Sequence, residues 1–177
     1  MKHIFWVDME MTGLDPACSV IIEFASIITN TQFEPLASYE EVVFQPPSHL
    51  ENLDEWNTRT HTESGLLAKI PFGKPLERVE AEVIAQLEAH FQGEAAVLAG
   101  NSIHQDRKFI DLYMPRLAEK LSYRMIDVSS FKQIFSHCLG ISFPKTSSHR
   151  ALDDIQASVD ELKHYLRFVS PANQQPY

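Results

Sequence analysis

Only two cysteines, Cys18 and Cys138, occur in the 177 residues. They fit no metal-ligand spacing and build no disulfide framework, which excludes a thiolate zinc site and a cysteine-stapled secreted scaffold. Both are expected as free thiols. No apolar run reaches the length of a membrane span, and the apolar N-terminus is interrupted by Asp8 too soon for a secretory signal. These absences read as a cytoplasmic protein without a membrane association. Basic residues are also scarce, with 15 Lys and Arg against 24 Asp and Glu, a net charge of -9. Proteins that track long nucleic acids use a basic stripe to neutralise many phosphates. There is none here, so a nucleic-acid substrate would have to be short, or be gripped through metal ions and a few chosen residues. The remaining composition, 44% hydrophobic and 22% charged, is that of an ordinary globular chain. Its length suits one core, and a single domain over residues 1–170 is expected, with a flexible tail at 171–177.

The chain is organised around its first ten residues. Ile4, Phe5, Trp6 and Val7 form an unbroken apolar run, as in a strand covered on both faces. Side chains on a strand alternate, which puts Asp8 and Glu10 on one face and Met9 on the other. Two carboxylates side by side at the end of a buried strand repel, and one takes up a proton unless a cation lies between them. An acidic loop entrance after a core strand is the bland alternative. The two differ in whether further carboxylates converge on the pair.

Turn residues follow at 12–16, then a second strand is predicted at 20–29, a turn at 30–35 and a third strand at 39–44, together an antiparallel meander. Glu23, inside the second strand on a face with Ile21 and Ala25, is assigned a structural role. Residues 48–75 read as irregular with short helical pieces, including the run from Trp56 to His61, where a Trp is most simply core. Leu76, Val79, Val83, Leu87 and Phe91 recur at helical spacing. A short strand at 95–99 and a turn at 100–102 follow, the pattern of an α/β unit. Asp106 falls near the start of the next helix, where it can cap amides or reach the mouth of the sheet. A strand at 125–127 precedes a helix at 129–139.

In the last helix Leu152, Ile155, Val159, Leu162, Leu166 and Val169 form one stripe. At about 100° per residue, Asp154 lies roughly 100° from the middle of that stripe and Asp153 roughly 150°, so Asp154 borders the core and Asp153 is solvated. On one helix His149 and Asp154 would diverge by roughly 140°. Both face one site only if His149 lies on the preceding loop, which 146–148 supply together with an N-cap.

This ordered set, Asp8-x-Glu10, Asp106 and His149-x-Ala151-x-x-Asp154, resembles the DEDDh branch of 3′-to-5′ exonucleases. Within it the chain is similar to the oligoribonuclease family over nearly its whole length, through VDMEMTGLDP, the 56–61 run, AGNSIHQDRKFID, Tyr123-Arg124 before IDVSS, and SHRALDDI. The resemblance implies an RNase H-like mixed sheet, a three-strand antiparallel meander plus parallel strands, flanked by helices. It implies two divalent ions, Mg²⁺ or Mn²⁺, held by Asp8, Glu10, Asp106 and Asp154, with His149 as general base. It also implies that Leu14 wedges against the bases, Trp56 stacks on one and His61 lies beside the 3′ nucleotide. Ser102 and Ser129 would cap the 5′ end, with Tyr123 and Arg124 reaching over from the second subunit of a homodimer. Such a cap selects dinucleotides and other short RNA oligonucleotides. Between 129 and 149 the chain departs from many relatives, having Phe135-Ser136-His137-Cys138 where they carry a basic pair followed by an aromatic. A DNA-directed exonuclease and a non-catalytic nucleotide-binding protein are the rival readings.

Overall fold

The computed structural model describes residues 2–51, 53–144 and 150–169. Strands β1 (His3–Met11), β2 (Ile21–Asn30) and β3 (Pro35–Val42) form the antiparallel meander, and β4 (Ala96–Gly100) and β5 (Leu121–Asp127) continue the sheet in parallel from β1. The order β3-β2-β1-β4-β5 puts β1 at the centre. The helices are α1 (Glu55–Glu63), α2 (Leu76–Phe91), α3 (His104–Tyr113), α4 (Pro115–Ala118), α5 (Val128–Leu139) and α6 (Ala151–Leu166). This is the mixed, RNase H-like α/β arrangement expected. Among the described residues no helix is long and apolar enough to cross a membrane.

Both faces of β1 are covered, which explains its unbroken apolar run. Phe5, Val7 and Met9 pack with Val79 and Val83 of α2, Phe109 of α3 and Leu117 of α4. Ile4 and Trp6 face the other way, onto Val128 of α5 and Ile155, Val159 and Leu162 of α6. Strand alternation therefore carries Asp8 and Glu10 out on the α6 side. The α6 stripe holds as far as Leu166; Val169 lies beyond the helix end and is exposed.

The third strand starts and ends earlier than expected. Asn30 closes a tight turn by accepting the amides of Gln32 and Glu34 through Oδ1, with Phe33 at φ 63°, so pairing resumes at Pro35. A proline is tolerated there because β3 is an edge strand. At the other end Val43 bridges to Lys74 instead of extending the meander. The register of β1 on β2 also shifts between Glu10 and Met11. Ile21 consequently joins the α2 cluster, while Ala25 stays on the α6 side, so Ile21 does not share a face with Glu23 and Ala25 as the simple alternation implied.

Candidate active site

The end of β1 projects Asp8 and Glu10 toward the first turn of α6, which delivers Asp154. One carboxylate oxygen from each of the three can be chosen so that all lie within 4.8 Å of one another. Asp154 is buried and Asp153 exposed, as the angular argument required. Burial, then the charges of Glu23 and Asp154, push the Glu10 carboxyl up to about 7 against the opposing pull of Arg150. This is the electrostatic signature of a site that gains from a cation. His61, on α1, is fully buried behind Glu10, its Nδ1 3.9 Å from Oε2 of Glu10 and its Nε2 3.3 Å from the Met11 carbonyl.

Asp106 stands beside this trio rather than in it. It occupies the first turn of α3 and accepts the Met9 amide at 3.1 Å, which fastens it near the C-terminal end of β1. Burial raises its carboxyl to about 8; the amides of Met9 and Asp106 itself oppose the shift, and Glu10 and Asp127 add to it. The acidic residues thus converge at one strand end, the convergence that separates a site from an acidic loop entrance.

A cleft of about 440 Å³ opens beside Glu10, lined by Met9, Met11, Gly13, Leu14, Trp56 and Asn57. Asp54 caps α1 by accepting the Asn57 amide at 2.7 Å, and the helix turns Trp56 outward, 50% exposed, with Leu14 68% exposed. The core default for Trp56 is therefore overturned. Two open apolar side chains border the carboxylates.

Ser102 and Ser129 come together where β4 and β5 end, their hydroxyls 3.2 Å apart. Asp127 accepts both of their amides, at 3.0 and 2.9 Å, and the Ser129 hydroxyl donates to Asn101. Asp127 lies outside the set of residues that the sequence singles out, although an Asp two residues before Ser129 at a helix start is a capping signal. Tyr123 and Arg124 are exposed on the edge strand β5, the guanidinium carbon 4.5 Å from the Tyr123 ring centroid. His149, the expected N-cap at 146–148 and the tail at 171–177 lie outside the described residues. Glu23 accepts the first amide of α6, Ala151 N, at 3.1 Å.

Residues 5–162 match the RNase T exonuclease family. The chain is 42% identical to the oligoribonuclease of Aliivibrio fischeri over 173 residues, 95% of this chain and 96% of that protein. It belongs to the oligoribonuclease family. Another member of the family, from Pseudomonas aeruginosa, is 40% identical over 169 residues, covering 93% of this chain and 94% of the other. As a family member the chain is a nuclease, a hydrolase. Solved structures share the fold at low identity. Exonuclease I of Methylocaldum szegediense superposes with a TM-score of 0.66 at 17% identity over 97% of this chain. E. coli exonuclease I in complex with a dT13 oligonucleotide gives 0.65 at 15% identity over 93%. The oligoribonuclease-family chain spans only about two-fifths of those longer proteins, 42% and 41% respectively.

Proposed function

We propose that this chain is a 3′-to-5′ exoribonuclease that hydrolyses dinucleotides and other very short oligoribonucleotides to 5′-mononucleotides. The observation that carries the reading is the meeting of Asp8, Glu10 and Asp154 beside a cleft bordered by exposed Leu14 and Trp56. The donor set is all oxygen, which suits Mg²⁺ or Mn²⁺ and not a thiolate-preferring metal. Asp8, Glu10 and Asp154 would hold the ions, with Asp106 as the fourth acidic contributor. When bound, two such ions supply Lewis-acid stabilisation of the charge on the attacking and leaving oxygens.

The protein's own residues do the rest. His149 is assigned the general base, since imidazole is the side chain best suited to accepting a proton at neutral pH. Burial of His61 gives it the task of supporting Glu10 from behind, with contact to the 3′ nucleotide made beside it. Trp56 offers a ring face to a base and Leu14 an apolar wedge. The hydroxyl of Ser102 would meet the 5′ end, with Ser129 supporting it from behind by accepting the Ser102 amide and donating to Asn101. Tyr123 and Arg124, exposed on β5, would complete that end in the partner subunit of a cytoplasmic homodimer.

Purified protein with Mg²⁺ or Mn²⁺ should convert a 5′-phosphorylated dinucleotide to mononucleotides, faster than it shortens a long single strand. An intact, metal-loaded dimer that leaves the dinucleotide uncut, or prefers the long strand, overturns the reading. Because stacking on an aromatic contributes about 1 to 3 kcal/mol per base, Trp56→Ala should raise KM for the dinucleotide by roughly 5- to 150-fold. Steady-state kinetics with kcat near wild type would place that loss in binding.

A further inference from the structure

Resting on the metal site proposed above, we infer that Glu23 and Arg150 are positioning residues that set where Asp154 stands relative to Asp8 and Glu10. Glu23 lies directly opposite Glu10 in the β1–β2 register and is fully buried. Both of its oxygens are engaged. One accepts Arg150 Nη2 at 2.7 Å and Nε at 3.0 Å, and the other accepts the Ala151 amide at 3.1 Å. Arg150 also reaches Glu40 of β3 at 3.2 Å. The backbone continues the chain of contacts, since the Asp154 amide donates to the Arg150 carbonyl at 3.1 Å. The start of α6 is thus tied to two strands of the sheet, and the tie passes through one residue to the third carboxylate of the cluster.

The same pair settles a chemical problem. A carboxylate directly across from Glu10 would compete with it for any cation, and like charges facing each other on neighbouring strands repel. A two-pronged arginine contact is the strong, directional form of carboxylate recognition and it occupies the oxygens that would otherwise ligate. Arg150 therefore removes Glu23 from the ligand set while using it as an anchor. Partners of this kind, one contact removed from a metal, change metal affinity or activity by about 10- to 100-fold when altered.

The test uses the full chain with Glu23→Gln, which keeps shape but loses charge, and Arg150→Lys, which keeps charge but loses the two-pronged contact. Hydrogen exchange on metal-free protein should be faster at the first turns of α6 in both variants, with α2 at wild-type rates. Unchanged exchange in α6, or an equal rise in α2 and α6, overturns the anchor. In Mn²⁺ titrations both variants should bind about 10- to 100-fold more weakly. Their kcat should recover at saturating Mn²⁺, while KM for the dinucleotide stays at the wild-type value. Wild-type Mn²⁺ affinity, or a matching rise in KM, overturns the positioning role. A wild-type protein that binds no Mn²⁺ would instead strike at the proposed function, and hydrogen exchange would still decide the anchor.

Discussion

Replacing Asp8 with Ala should lower kcat on a dinucleotide by about a hundred- to a thousandfold, the scale expected when a charge-stabilising element is withdrawn from a transition state. Asp154→Asn, which retains the shape of the side chain, should do the same. Neither change should unfold the protein. Asp8, Glu10 and Asp154 crowd their carboxylates within 4.8 Å, so removing one negative charge relieves repulsion in the metal-free fold. The melting temperature without metal should therefore hold or rise while turnover collapses. That opposition distinguishes a site from a structural cluster, because a structural carboxylate lost from a core would lower both. KM should change little, since Leu14 and Trp56 border the cleft independently of Asp8. Rapid-quench measurement of mononucleotide release at matched Mn²⁺ would decide it, and an Asp8→Ala enzyme of normal turnover removes the carboxylates from the mechanism.

The parts of this site that were legible in the sequence are those set by local periodicity. Alternation placed Asp8 and Glu10 on one face, and the helical angle separated buried Asp154 from exposed Asp153. The apolar spacing of α2 announced its span in the same way. What failed depended on partners far along the chain or on weak local contrast. Strand β3 is an edge strand that opens on Pro35, ordinarily a turn residue, and the apolar run Val42-Val43-Phe44 continues past its end, so neither boundary coincides with a change of polarity. A lone aromatic in a polar stretch gives no direction, so the sequence leaves Trp56 to the core by default; the capping of α1 by Asp54 turns it to the cleft. Glu23 and Arg150 are 127 positions apart, and their pairing follows from the β1–β2 register and the docking of α6, neither of which any local window contains. Asp127 is the intermediate case, a helix cap readable from its spacing to Ser129 whose second bond, to the Ser102 amide, needs β4 and β5 to be paired.

Metal-free protein should lose stability as pH rises from 5 to 8, and Mg²⁺ or Mn²⁺ should restore it. Folding raises the Glu10 carboxyl from 4.5 to about 7, through burial first and then the charges of Glu23 and Asp154. A carboxyl whose pKa rises on folding binds its proton more tightly in the folded state. Its contribution is therefore intact below 4.5 and is lost as pH climbs through 7. That interval corresponds to on the order of 3 kcal/mol, or roughly 6 to 12 °C in Tm for a chain of this size. Buried Asp106 shifts in the same direction and extends the decline toward pH 8. Glu82, held down to about 2 by Lys74, Tyr39 and Arg78, titrates below this window and leaves the slope alone. Glu10→Gln imitates the protonated carboxyl, so it should flatten much of the slope and raise Tm at pH 8 in EDTA, while weakening the rescue by Mn²⁺. Thermal melts of both proteins across this range provide the measurement. A wild-type Tm that stays level from pH 5 to 8 in EDTA would mean that the acidic cluster is not under strain, and the physical case for a cation between these carboxylates would go with it.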